Sequence, residues 1–141
     1  LYHVPDRARA FREVRRVLKP SGVFYAATNG ERHLAEIHDI SDSFEGQKPA
    51  WTGFRLDQDF QLENGAEQLA AVFPDVTMER FDCNLAVTDP AAVVAFICSG
   101  YAPEDLNDNT LTTLAQHVTR HFPAEGAFHI TKDTGLFSAR A

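Results

Sequence analysis

The sequence predicts an α/β fold, and three observations carry that prediction. A helix with one apolar stripe runs through a tight turn straight into a continuously apolar strand. A helix-then-strand pattern recurs near the middle of the chain. Two short strand patterns close it. A strand–helix–strand crossover of the kind at the start almost always makes a parallel sheet.

The elements follow in order. Leu1-Tyr2-His3 reads as the end of a strand. Asp6 follows Pro5 and caps a helix start, its carboxylate accepting a backbone N–H of the first turn. Ala10, Phe11, Val14, Val17 and Leu18 then recur at helical spacing as one stripe, with Arg7, Arg9, Arg12, Arg15 and Arg16 on the other face. Lys19 suits the negative end of the helix, and Pro20 and Gly22 stop it. Val23 to Ala27 is apolar throughout, as in a strand covered on both faces, and Thr28-Asn29-Gly30 ends it as a turn. The chain opens on an apolar strand residue without an initiator Met. We therefore expect residues ahead of it, and read it as the second half of a larger domain.

Glu31 to Phe44 carries Leu34, Ile37, His38 and Phe44 at helical spacing, interrupted at Ser41-Asp42-Ser43. Residues 45–58 form an aromatic loop with Trp51 and Phe54. A helix starts at Glu63 or Asn64 and runs through Val72. Val76 to Phe81 alternates as a strand, with Leu85 to Val87 as an extension. Asp89-Pro90 opens a helix in the order cap, then proline at the first helical position. Pro103 to Phe122 is a further helix or helix pair. Ala127–Ile130 and Leu136–Ala139 are short strands about Lys132-Asp133-Thr134-Gly135, a turn signal. The corresponding stretches are 1–30 (strand end, helix and core strand), 31–62 (helix and aromatic loop), 63–87 (helix and strand), 88–125 (helical insertion) and 126–141 (closing strands).

The opening LYHVPDRARAFREVRRVLKPSGVFYAATNG resembles the fourth-to-fifth-strand segment of class I S-adenosylmethionine-dependent methyltransferases. Their pattern there is hydrophobic–His–Val–Pro–Asp, then Glu–x–x–Arg–Val–Leu–Lys–Pro and a Gly entering a strand. Glu13, Arg16, Val17, Leu18, Lys19, Pro20 and Gly22 fill those places, and Ser21 stands where the family more often has Gly. LENGAEQLAAVF and the closing GAFHITKDTGLFSARA resemble the C-terminal half of a bacterial subgroup acting on small molecules. The resemblance implies the C-terminal half of a Rossmann-like fold: a parallel strand, antiparallel closing strands and helices packed on the sheet. It implies methyl transfer from S-adenosylmethionine to a small-molecule acceptor. In that family a Gly-rich turn after the first strand holds the cofactor's methionine end, and an acidic residue ending the second strand holds its ribose. The eight glycines here are scattered, with no G-x-G after a strand. This stretch by itself is expected neither to bind the cofactor nor to turn over. The alternative is a truncated, non-catalytic homologue that associates with itself or a partner.

Composition sets further bounds. A net charge of −7 argues against a nucleic-acid partner, because phosphate backbones are held by clustered cations. The arginine face of the first helix is the local exception, read as a solvated or partner-facing surface. No apolar run reaches the ~20 residues that span a bilayer, and no signal peptide is visible. The two cysteines, Cys83 and Cys98, read as free buried thiols of a cytoplasmic protein. His33 and His38 flank Glu36 but rotate apart on a helix. His117 and His121 sit i, i+4 near Glu125 without a third spaced ligand, so no metal site is assigned.

The candidate site residues are positional, since ligands in open α/β sheets sit beyond the carboxyl ends of the strands. Tyr2, His3 and Asn29 would face one cleft. There His3 orients an acceptor or acts as a base, or else serves as a structural histidine. Trp51, Phe54 and Tyr101 either stack on a substrate or plug the structure. Methyl transfer requires mainly alignment and exclusion of water, so no catalytic residue is assigned. An exposed strand edge with apolar faces is expected to pair into a homodimer.

Overall fold

The computed structural model describes residues 1, 3–49 and 60–141. In chain order its elements are α1 (Arg7–Val17), β1 (Val23–Asn29), α2 (Ala35–Ser43), α3 (Gly65–Ala70), β2 (Asp75–Asp82), β3 (Leu85–Val87), α4 (Pro90–Cys98), a 3-10 turn (Pro103–Asp105), α5 (Asp108–His121), β4 (Phe128–Ile130) and β5 (Asp133–Arg140). The described residues of Leu1–His33, Leu56–Cys83 and Lys132–Ala141 form one compact unit. Those of Leu34–Arg55 and Asn84–Thr131 form a second.

In the first unit the Asp6 carboxylate accepts from Arg9 N at 2.9 Å, which starts α1 where the sequence places it. A three-stranded sheet has the order β1-β5-β2, with β5 antiparallel to both neighbours. β1 and β2 therefore run in the same direction without touching, and no parallel pair occurs among the described residues. The register places Phe24 opposite Ala139 and Ala26 opposite Phe137. These residues share one face with Phe11, Phe60, Leu62, Leu69 and Phe73, with Val14 and Leu18 at the margin. Tilted and edge-on ring contacts of 5.9 Å (Phe11–Phe60) and 5.8 Å (Phe60–Phe137) knit this core, the geometry aromatic quadrupoles favour.

In the second unit β3 pairs with β4, Leu85 opposite Ile130. Ile37, Ile40 and Phe44 of α2 and its end, Val93 and Ile97 of α4, and Leu114 and Val118 of α5 close a second core with Ile130 and Tyr101. Asp89 caps α4 by accepting from Ala91 N at 2.9 Å, and Asn107 caps α5 by accepting from Thr110 N at 2.9 Å.

Several expectations are corrected. Val4 N donates to Leu1 O at 3.0 Å, and His3 is in a turn and not at a strand end. β1 is not covered on both faces: Tyr25 is 62% exposed and Ala27 is exposed, because the core lies under only one side of the sheet. Val17, counted in the apolar stripe, is 66% exposed at the last position of α1. Ser41-Asp42-Ser43 does not interrupt α2. The hydroxyls of Ser41 and Ser43 donate back to Ile37 O and Asp39 O, which satisfies them within the helix. α3 ends at Ala70, short of Val72.

β3 does not extend β2; it belongs to the other sheet and the other unit. Lys132–Gly135 is not a hairpin turn either. β4 and β5 pair with different partners, and Thr134 and Gly135 are already strand. Gly135 is required for space: a Cβ there would lie 2.6 Å from Glu79 O and 2.7 Å from a Leu62 methyl. Residues 45–58 were read as one loop, and their aromatic part lies outside the described residues. Cys83 and Cys98 are free, but Cys83 is exposed and Cys98 half-buried.

Candidate functional site

The carboxyl end of β1 is the place in the first unit where an α/β sheet would present a ligand. Antiparallel pairing brings the start of β5 there, with Asn29 opposite Thr134, while Phe81 and Asp82 of β2 meet Thr134 and Asp133. The end of β1 is then tied down from three directions. The Thr28 hydroxyl donates to Phe60 O at 2.7 Å. The Asn29 carbonyl accepts from Leu62 N at 3.1 Å, and Gly30 N donates to Asp133 O at 2.9 Å.

Charged side chains complete the arrangement. Asp133 is only 8% exposed. Its Oδ1 lies 3.1 Å from Arg80 Nε, and its Oδ2 accepts from Arg32 N at 3.3 Å. The other edge of the Arg80 guanidinium donates from Nη2 to Glu63 Oε1 at 2.5 Å, and Glu63 Oε2 accepts from Glu31 N at 3.1 Å. One guanidinium thus bridges two carboxylates, and each carboxylate holds an amide of the turn that follows β1. The buried carboxylate is paired and hydrogen-bonded, as a charge taken from water must be. Gly30 makes the clamp possible, since a Cβ at that position would lie 2.2 Å from Asp133 Oδ2. Two carboxylates against one guanidinium leave the cluster acidic, so what it offers chemically is acceptance from an amine or hydroxyl.

The predicted site residues are distributed unevenly. Asn29 closes β1 beside this cluster. His3 stands exposed in a turn of the same unit. Tyr2, Trp51 and Phe54 lie outside the described residues. Tyr101 belongs to the second unit, where it is 8% exposed and its hydroxyl donates to Gln47 O at 2.6 Å. It therefore sits in that unit's core as a satisfied packing residue. Burial pushes its hydroxyl above the ordinary value of 10.0, with the nearby Cys98 adding to the rise. Burial likewise pushes the Cys98 thiol above 9.0.

Glu36, His117 and His121 of the histidine and acid constellations bond within the second unit. Glu36 holds Thr131 through two bonds, from N at 2.8 Å and from Oγ1 at 2.7 Å. His117 Nε2 lies 2.9 Å from Ile40 O and 3.2 Å from Ser43 Oγ. His121 Nδ1 lies 2.9 Å from His117 O, within its own helix. Among the described residues no three His, Cys, Asp or Glu side chains are grouped to hold a metal ion. Among the described residues no helix is long and apolar enough to cross a membrane.

The Gly30–Asp133–Arg80–Glu63 arrangement was missed in the sequence. Glu63 reads there as a helix-start acid and Asp133 as a turn residue. The available signal was a glycine directly after a strand end, which marks a close approach as readily as a turn.

Residues 1–26 match the family model of the methyltransferase domain. The match spans α1 and the first half of β1, and over those residues the likeness to a class I S-adenosylmethionine-dependent methyltransferase domain is shown. No curated protein matches the chain. The family generally uses S-adenosylmethionine. Gly30, Gly65 and Gly135 are each packed against side chains, and the one glycine in the left-handed region, Gly126, has open space around it.

Proposed function

We propose that this chain is the sheet-completing, acceptor-side portion of an S-adenosylmethionine-dependent methyltransferase acting on a small molecule in the cytoplasm. The observation that carries this reading is the methyltransferase-domain match over residues 1–26. The antiparallel closing of β1 by β5 and β2 on a helix-covered core supports it, as the C-terminal part of a Rossmann-like domain. On this reading both compact units belong to one domain. The carboxyl end of β1, with Asn29 and the clamped turn after it, borders the acceptor's pocket. The chain aligns the acceptor and excludes water there, and a separate stretch supplies the cofactor cradle.

The test is calorimetric. The 141-residue chain alone should show no binding of S-adenosylmethionine or S-adenosylhomocysteine. The product of the full reading frame, including whatever precedes Leu1, should bind both at micromolar concentration. A Gly-rich strand–turn–helix ahead of Leu1 that still fails to bind would sink the proposal.

A second reading, a non-catalytic module that pairs with its own copy, is favoured by one observation. Among the described residues β1 has a neighbour on one side only. Its sequence Val-Phe-Tyr-Ala-Ala-Thr-Asn carries no charge and no proline to guard that edge.

A further inference from the structure

We propose that the groove between α1 and the end of α3 is a binding site for a small phosphate-bearing anion, held by Arg12, Arg15 and Arg16. Ala8, Arg12, Arg15 and Arg16 recur at helical spacing and share one face of α1. Gln68, Ala71 and Val72 form the facing wall, and together they enclose a groove of about 590 Å³. That volume is in the range of small-molecule sites, ~300–1,000 Å³. Ala8 and Ala71 are too short to fill it, so the space is bounded by long cationic side chains and stays open.

The charges are only partly engaged by local partners. Arg15 spends one nitrogen on Val72 O, which anchors its guanidinium at the groove wall. Arg16 pairs with Glu13 at 2.8 Å, but both side chains are more than half exposed, a geometry that screens the pair strongly. Arg12 is exposed and lines the same groove. Guanidinium groups present paired N–H donors that match phosphate oxygens two at a time.

The setting selects a small ligand over a macromolecule. Residues 6–19 carry five arginines and a lysine against Asp6 and Glu13, while the chain as a whole stands at −7. A long polyanion would feel the net negative charge of the chain beyond α1. A compact anion lies within one Debye length of the arginines, ~10 Å at 0.1 M salt, and feels mainly their field.

The test titrates inorganic pyrophosphate into the full 141-residue chain by calorimetry at low ionic strength. Saturable one-to-one binding is expected, weakened at least about tenfold by Arg12→Gln and by Arg16→Gln. Arg9→Gln, on the same helix but outside the groove, should leave affinity within about twofold, as a change remote from the contact does. Circular dichroism should be unchanged in all three, since these side chains are exposed. Absence of saturable binding overturns the proposal. So does equal weakening by Arg9→Gln, which would mean diffuse attraction to the helix. Tight binding of polyglutamate with none of pyrophosphate would also overturn it, in favour of an acidic protein partner.

Discussion

Replacing Gly30 by alanine tests whether the clamp at the end of β1 is a packing constraint or an incidental contact. The new methyl would lie 2.2 Å from Asp133 Oδ2, 2.6 Å from Cγ and 2.8 Å from Oδ1. The carboxylate must swing away, and in doing so it gives up the Arg32 amide and the 3.1 Å approach to Arg80. Overpacking of this kind costs ~1–3 kcal/mol. The lost Arg80 contact adds little, because that guanidinium is 50% exposed. The smaller freedom of the unfolded alanine chain offsets ~0.4–1 kcal/mol. A net destabilisation of about 2 kcal/mol is expected. Urea unfolding measures it, with amide exchange in β1 and β5 as the local readout and β3–β4 as an internal reference. The decisive comparison is a double-mutant cycle with Asp133→Ala. With the carboxylate gone the methyl has room, and Gly30→Ala should become neutral or slightly stabilising, a coupling of about 2 kcal/mol. Equal cost in both backgrounds would refute the steric argument, and so would a parent-like Gly30→Ala.

Four further outcomes rest on the same geometry. Tyr101→Phe removes the 2.6 Å bond to Gln47 O and should destabilise the second unit by about 1 kcal/mol at neutral pH, read by denaturant midpoint. The raised Tyr101 hydroxyl and Cys98 thiol mean that the fold prefers their neutral forms. Their contribution is complete below pH 9.0 and is lost as pH rises through the raised folded values, so the second unit should weaken in alkali, and Tyr101→Phe should weaken less. Stability that stays flat from pH 8 to 11 would contradict this. Asp89→Ala removes the α4 cap at 2.9 Å and should cost about 1 kcal/mol, with Asp89→Asn retaining most of it. If β1 pairs with its copy, light scattering should show a dimer that Ala27→Lys returns to monomer; a clean monomer of the parent at high concentration removes that reading.

What the sequence made legible is what short-range physics decides. Asp6 and Asp89 cap helices because their side chains reach amides two or three residues on. The α1 stripe is readable from spacing alone, apart from Val17, which sits where the helix leaves the sheet. The methyltransferase likeness was readable for the same reason, as a contiguous run of residues. The strand pairings were not. Lys132–Gly135 has the composition of a turn, yet Asp133 is held by residues 101 and 53 positions away, Arg32 and Arg80. Nothing local distinguishes a glycine that turns from one that admits a neighbouring backbone, as Gly135 admits Glu79 O. Leu85–Val87 likewise looks like a continuation of β2, and only its partner Phe128–Ile130 assigns it to another sheet. The candidate site fell into this gap, because the clamp joins β1, β2, β5 and the approach to α3.

The two faces of the β1-β5-β2 sheet are built to different rules, and that difference bears on function. On the inner face Phe24, Ala26, Phe137 and Ala139 alternate with precision in register and bury aromatic rings against them. On the outer face the same strands present Tyr25, Ala27, Leu136 and Phe81, of which Tyr25 and Phe81 are 62% and 42% exposed. An amphipathic strand of an antiparallel sheet would carry polar residues there. β2 does so at Thr77 and Glu79, and β1 only at its last residue, Asn29. The uncharged run Val23–Ala27 on both faces therefore fits a strand selected for cover on its outer side. In the methyltransferase reading that cover is the remainder of the domain, which would shield Tyr25 and Ala27 while leaving the charged β2 edge in water. In the self-association reading it is a second copy, and the protection would be concentration-dependent. Solvent protection of Tyr25 that appears with dilution-sensitive kinetics points to the copy. Protection at all concentrations, only in the full reading frame's product, points to the completed domain.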